Sequence, residues 1–297
     1  MSTTRSGERR PRALVVCGPT ASGKSGLVDR LGGELESESG FAAPAIVVDS
    51  MQVYRELPVI TNQRRERPAE LVGSVSVSEE WTVARHRAAA EEVIRATGGP
   101  FLLDAGTGMY LNAILLDMEL SPKVPQNIRA EAERRAESEA NPRREARRLE
   151  LELAGAGERG SVWEGALRYP TALLYVRPDR EELDRSIAER SRRIARDGAE
   201  EVSEVLRRWR EAGVEPNDSV KQSVGFREMA AYVGGEASLE WAEEKINVRT
   251  RRLARRQMRW FDKLCKSLPE DAKVTVAESP EGEKAVSYMR GIIGLWE

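Results

Sequence analysis

GPTASGKSGL, Gly18 to Leu27, is the stretch on which the fold turns. A glycine, four residues, then Gly-Lys-Ser spells a phosphate-binding loop, and the spelling acquires structural meaning from its flanks. Before it runs Ala13-Leu14-Val15-Val16-Cys17, continuously apolar as in a buried parallel strand. After it, Lys24 to Leu35 reads as a helix. Strand, glycine loop, helix is the context in which the chemistry works. Gly18 and Gly23 let the backbone curl and present its N–H groups, and the helix N-terminus adds its partial positive charge. Lys24 reaches phosphate oxygens, and the Ser25 hydroxyl can ligate Mg²⁺. Gly18, Pro19, Thr20, Ala21, Ser22, Gly23, Lys24 and Ser25 are therefore the candidate phosphate site. The bland alternative is a glycine-rich turn before a helix. The loop does not say whose phosphate it holds: a nucleotide's, or the leaving group of another substrate.

Working outward, 297 residues accommodate one large α/β domain with an appendage, or two domains. At 40% hydrophobic and 32% charged, the chain has the balance of a soluble globular protein. Two cysteines, Cys17 and Cys265, build neither a disulfide framework nor a metal cluster, and fit a reducing cytoplasm. One histidine, His86, argues against His-ligated metals and a Ser-His triad. Residues 1–12 are basic and polar and read as a disordered tail, not a signal peptide. No apolar stretch approaches a membrane span.

A second strand, Ala45 to Val48, ends at DSMQVY, so Asp49, Ser50 and Gln52 stand at the carboxyl end of a parallel strand, where α/β ligands bind. A helix from about Glu79 to Thr97 is expected with Ser78 as its N-cap. Phe101-Leu102-Leu103 reads as a third strand opening into DAGTGMYL. Pro125 to about Arg159 alternates Arg and Glu and reads as a solvated helical hairpin. Strand character returns at Ala172 to Val176. Helices follow at roughly Glu181 to Ala195, Glu200 to Ala212, Ser219 to Val233 and Leu239 to Leu268, then a strand at Lys273 to Val276 and a last helix. The expected architecture is an α/β phosphate-loop fold with a parallel sheet flanked by helices: residues 13–124 and 165–297 form the core, and 125–164 a small helical insert.

GPTASGKS, DSMQVY, GTGMYL, VGFREMAAYVGGE and RTRRLARRQMRWF, in this order and spacing, resemble the tRNA dimethylallyltransferases, also called tRNA isopentenyltransferases, from about Ala13 to Leu264. The resemblance implies a loop of the ATP-binding, nucleotide-kinase type that holds the diphosphate of dimethylallyl diphosphate and needs no ATP. It implies transfer of the allyl group to N6 of the adenosine 3′-adjacent to the anticodon of tRNA, flipped out to reach the pocket. Carried over residue by residue, Asp49 matches the proton-accepting base, Thr107 the threonine that positions amine or diphosphate, and Arg251 the arginine that meets the leaving group with Lys24. Ser50 and Gln52 can read the edge of the base. Mg²⁺ near Ser25 is the implied cofactor.

The chemistry suits these residue types. Diphosphate departure needs positive groups already in place. The exocyclic amine becomes strongly acidic as its C–N bond forms, so a carboxylate of ordinary acidity can take the proton. For Asp49 the bland reading is a helix N-cap after a strand. Between Lys245 and Lys266, nine Lys and Arg stand against Asp262, which reads as a phosphate-contacting face, with Arg255 and Arg256 at its centre. Trp260 and Phe261 are expected in the core.

Three departures stand out against the family pattern. LVGSVSVSEEW lacks a His-His-Leu segment, Asp104 precedes the Ala105-Gly106-Thr107-Gly108 turn, and the insert is short. A remnant of the tRNA-gripping stretch survives as NPRREARRLELE, with Asn141, Arg144 and Arg148 at the matching positions. The alternatives are transfer to free adenine nucleotides, a kinase with Asp104 as metal organiser, and a degenerate RNA-binding relative. The chain is expected to be a monomer without membrane contact.

Overall fold

The computed structural model describes residues 11–120, 124–139, 142–155 and 161–293. Five strands, β1 (Ala13–Cys17), β2 (Ala45–Val48), β3 (Phe101–Ala105), β4 (Thr171–Val176) and β5 (Lys273–Ala277), form one sheet in the order β2-β3-β1-β4-β5. Every pairing is parallel, with Val16 opposite Asp104 on one side and Leu174 on the other. The helices are α1 (Lys24–Ser39), α2 (Pro58–Thr61), α3 (Val83–Thr97), α4 (Gly108–Leu115), α5 (Gln126–Ala136), α6 (Pro142–Leu153), α7 (Arg180–Asp197), α8 (Ala199–Ala212), α9 (Asp218–Lys221), α10 (Phe226–Val233), α11 (Leu239–Ser267) and α12 (Glu283–Ile293).

Strand alternation sorts the core into two faces. Ala13, Val15, Cys17, Phe101, Leu103 and Ala105 point to one side, against Ile94 of α3, Leu111 of α4 and Phe261 of α11. Leu14, Val16, Leu102 and Leu174 point to the other, against Leu27, Val28 and Leu31 of α1 and Met289 of α12. Each fully buried Leu or Val contributes about 1.5–3 kcal/mol, so the central strands anchor the loops that leave their carboxyl ends. A third cluster joins Val53, Tyr54 and Leu57, after β2, to Ile194, Val205, Met229 and Ile246 of the later helices.

The insert leaves and rejoins the core side by side. Leu116 and Leu167 form an antiparallel bridge, and Asp117 N–H donates to the Ala166 carbonyl at 2.9 Å. Between these points α5 and α6 pack on each other through Ala132, Ala136 and Ala146. Residues 1–10 of the expected tail lie outside the described residues.

Several expected boundaries move. The α3 cap is Thr82, whose side chain accepts from Arg85 N–H; Ser78 instead joins Ser76 in the turns before it. The helix expected over Ser219 to Val233 breaks in two, because Gly225 has φ +98° and starts a fresh helix. There the Glu228 side chain accepts from Gly225 N–H at 2.8 Å. β3 runs two residues further than expected, so Asp104 lies inside the sheet. Phe261 is fully buried as expected, and Trp260 packs half-buried against Trp163.

Candidate active site

A cleft of about 1720 Å³ opens at the carboxyl ends of β1, β2 and β3. Its walls are the phosphate loop, the DSMQ turn, Thr107, one face of α5, and α7, α9 and α11. Location follows from topology: in a parallel sheet the loops at this edge are free to bind ligand.

The loop is held in a strained form. Gly23 has φ +78°, open to glycine, but Ala21 also sits in the left-handed region at φ +65°. Gly18 is required by close approach, since a Cβ there would lie 2.7 Å from the Val176 carbonyl oxygen. The Ser22 hydroxyl is buried and has no hydrogen-bond partner among the described residues. A spare donor inside the loop suits an anion. Lys24 is buried and directs its ammonium to the Pro19 carbonyl at 3.5 Å, while Ser25 opens on the cleft.

Asp49 is half-buried and splits its two oxygens. Oδ1 accepts from Met51 N–H at 2.8 Å and from Gln52 N–H at 3.3 Å, which fixes the turn. Oδ2 faces Gly106, where a Cβ would stand 2.9 Å from it and 3.6 Å from Lys24 Nζ. Glycine at 106 therefore leaves a space bordered by the carboxylate and the ammonium. No helix follows Asp49, since α2 begins only at Pro58, so the helix N-cap alternative does not hold; the carboxylate caps a turn with Oδ1 and lines the cleft. Thr107 Oγ1 accepts from Ser50 N–H at 3.2 Å, binding the threonine turn to the DSMQ turn. Asp49, Ser50, Gln52, Thr107, Lys24 and Ser25 all line the cleft.

The arginines are redistributed. Arg251, matched to the leaving group, does not line the cleft; it faces Asp184 of α7 at 3.3 Å. At 100° per residue, the face of α11 that looks into the cleft carries Arg249, Leu253, Arg256 and Gln257, and Arg251 points away. Arg249 is committed to buried Glu228 and to the Gln222 carbonyl at 2.6 Å. Arg255 is exposed and outside the cleft, while Arg256 is exposed at its wall. Arg148 is held by Glu145 and Glu152 of its own helix and does not reach the cleft; the insert's contribution comes from Arg129 and Glu133 of α5. The Arg144 side chain and Asn141 lie outside the described residues.

Arg190 and Arg193 of α7 were not foreseen. Arg193 donates to Asn62 Oδ1 at 3.0 Å. Arg190 forms no hydrogen bond or ion pair among the described residues and lines the cleft. Burial pushes its pKa down to about 10, against the field of Asp49, and Arg193 adds to the lowering. A half-buried guanidinium without a partner, facing a cleft, is an anion ligand by chemistry. The one sequence signal was its place one turn before Arg193 and Ile194 on an amphipathic helix.

Asp104 is 1% exposed, and its Oδ2 accepts from Arg65, which also binds Asp29 at 2.6 Å. This carboxylate is structural in its pairing and does not line the cleft. In the place of the His-His-Leu segment, Val75 and Val77 are buried beneath Tyr54. No group of three or more His, Cys, Asp or Glu side chains gathers to hold a metal among the described residues. The donor at hand, the Ser25 hydroxyl, fits a hard cation that keeps most of its waters and binds chiefly through substrate phosphate.

The family model described as IPP transferase matches residues 52–264. The chain belongs to that family. Among related family members, the tRNA dimethylallyltransferase of Rubrobacter xylanophilus is 57% identical over 290 residues, covering 96% of this chain and 99% of that protein. The tRNA dimethylallyltransferase of Phenylobacterium zucineum is 34% identical, covering 84% and 89%. Of the solved structures, the tRNA isopentenylpyrophosphate transferase of Bacillus halodurans superimposes with a TM-score of 0.67 at 22% identity, over 96% of this chain and 95% of that one. A eukaryotic dimethylallyltransferase acting on tRNA gives 0.69 at 22%, over 95% and 78%. The family's sheet and flanking helices are thus those expected from GPTASGKSGL. No described helix is long and apolar enough to cross a membrane.

Proposed function

We propose that this chain transfers the dimethylallyl group of dimethylallyl diphosphate to N6 of the adenosine 3′-adjacent to the anticodon in tRNA. The observation that carries the reading is that Lys24 Nζ and Asp49 Oδ2 border one space above Gly106. It supports a reading in which an anion-binding loop and a carboxylate oxygen flank one reacting point. The allylic C–O bond breaks and its electron pair leaves with the diphosphate, which meets the loop amides, Lys24 and Arg190. The amine nitrogen forms the new C–N bond, and its proton passes to Asp49 Oδ2. Thr107 keeps the DSMQ turn in register, and Ser50 and Gln52 face the base.

Mg²⁺ held by Ser25 and the diphosphate would supply further charge neutralisation of the leaving group. The diphosphate is already a leaving group, so transfer requires no ATP. Arg256 and the exposed Arg252, Arg255 and Arg259 of α11 supply phosphate contacts along the tRNA. A tRNA partner puts the enzyme in the cytoplasm, and one chain carries every group named, so a monomer suffices. The kinase reading loses its metal organiser, because Asp104 is engaged by Arg65 outside the cleft. The test is direct: purified protein, dimethylallyl diphosphate, Mg²⁺ and unmodified tRNA, with AMP as a competing acceptor and no ATP. Prenylated tRNA is expected. Product on AMP alone, or none without ATP, would sink the proposal.

A further inference from the structure

The RTRRLARRQ segment contributes one side chain that the proposed chemistry leaves unused. Gln257 of α11 accepts from Thr20 N–H through Oε1 at 2.9 Å and donates from Nε2 to the Gly106 carbonyl at 2.9 Å. One amide thus spans the phosphate loop and the turn after β3, segments that are far apart in sequence. The only other backbone tie between them among the described residues is Gly18 N–H to the Ala105 carbonyl, at 3.2 Å.

The loop needs such a tie. Ala21, next to Thr20, carries φ +65°, a conformation a non-glycine residue keeps only where its surroundings over-determine it. The Ala21 methyl packs with Leu183 and Ile187 of α7 and with Ala254 and Met258 of α11. Helix α11 therefore grips the loop twice, by packing at Ala21 and by hydrogen bonding at Thr20. On the same helix, Trp260 lies so close to Gly108 that a Cβ there would stand 2.0 Å from its ring. Loop, threonine turn and α11 are thus tied to one another at three points.

We propose that Gln257 is a positioning residue that clamps the phosphate loop to the Gly106–Thr107 turn, holding the diphosphate in register with Asp49. This rests on the prenyl-transfer reading for the identity of the ligand, not for the clamp itself. The clamp also links the diphosphate site to the helix bearing Arg252, Arg256 and Arg259.

The chemistry of the clamp allows a signature that simple packing lacks. An amide is both acceptor and donor here. Met at 257 keeps the volume and loses both bonds. A glutamate keeps the acceptor but, when ionised, sets a negative oxygen against the Gly106 carbonyl; when protonated it donates again.

The experiment measures binding of inorganic diphosphate with Mg²⁺ by calorimetry, together with hydrogen exchange of the 18–23 segment and tRNA prenylation. The proteins are the wild type, Gln257→Met and Gln257→Glu. Gln257→Met is expected to bind diphosphate about tenfold more weakly and to exchange Thr20 N–H faster, with its melting transition retained. Gln257→Glu is expected to be weak at about pH 8 and, relative to wild type, to recover as the pH falls toward about 4, and sooner to the extent that the facing Gly106 carbonyl disfavours the ionised form. Wild-type affinity and unchanged exchange in Gln257→Met would overturn the clamp. So would Gln257→Glu that tracks the wild type at every pH, whether or not the methionine variant folds. Binding and exchange that behave as expected in an enzyme inactive on tRNA would leave the clamp standing and remove the prenyl-transfer reading instead.

Discussion

Asp49→Asn separates the base role from the structural role of that residue. In the structure Oδ1 fixes the turn through Met51 and Gln52, and Oδ2 alone faces Gly106 and Lys24. Asparagine retains Oδ1 and its two hydrogen bonds, so the fold should hold with a loss of at most a few tenths of a kcal/mol, about that of a weakened cap. What disappears is the oxygen that receives the proton. General-base contributions of about 10²–10⁴-fold correspond to about 2.7–5.4 kcal/mol in the barrier. Diphosphate binding should stay the same or tighten slightly, because a negative charge leaves the neighbourhood of an anion site. Asp104→Asn is the control. It weakens the Arg65 pair inside the protein and should show in stability, while turnover falls about tenfold or less. Single-turnover prenylation with enzyme in excess, diphosphate affinity measured separately, and thermal melts of both variants decide the matter. If Asp49→Asn turns over within tenfold of wild type, or Asp104→Asn is the crippled enzyme, the assignment of the base is wrong.

The remaining predictions concern the anion site, a buried pair, a close contact and a buried histidine. Lys24→Ala should abolish transfer while leaving the fold intact, and undiminished transfer would remove the loop from the chemistry. Arg190→Ala and Arg256→Ala should weaken diphosphate or tRNA binding, whereas Arg251→Ala, which breaks only a part-exposed pair worth about 1 kcal/mol or less, should bind both normally; a large loss from Arg251→Ala would contradict the placement of the cleft. Arg65→Met strands Asp29 and Asp104 in the interior and should cost about 3–5 kcal/mol in denaturant unfolding, with no loss taken as refutation. Gly108→Ala should fail to melt cooperatively at the wild-type temperature, since the ring of Trp260 occupies the space. His86 is buried and its pKa falls from 6.5 to about 4 through desolvation, so the unfolded chain binds the extra proton in that window. Stability from this group is complete above about pH 6.5 and lost as pH falls toward 4, by about 3 kcal/mol. His86→Gln should flatten that part of the urea-midpoint profile, and an unchanged slope would count against it.

What the sequence could show depended on range. GPTASGKS and the apolar run before it are contiguous, so the strand, the loop and the cleft edge were legible without any knowledge of distant residues. DSMQVY and GTGMYL each end a strand, and parallel pairing brings all such ends to one edge, which is why Asp49 and Thr107 line the same cleft as Lys24. What the sequence leaves open is how a helix is rotated about its axis. Arginines at 249, 251, 252, 255 and 256 look alike in a string, and only the docking of α11 against α7 and α10 decides that 249 and 256 face the cleft and 251 faces Asp184. Arg190 was invisible for the same reason. Its value to an anion comes from burial and the absence of a partner, neither of which is a property of the letters around it. Asp104 carries the point further. Its place in DAGTG invites a ligand role, yet its meaning is set by Arg65, 39 positions upstream, which brings it a partner inside the protein and so takes it out of the competition with Asp49 for the chemistry of the cleft.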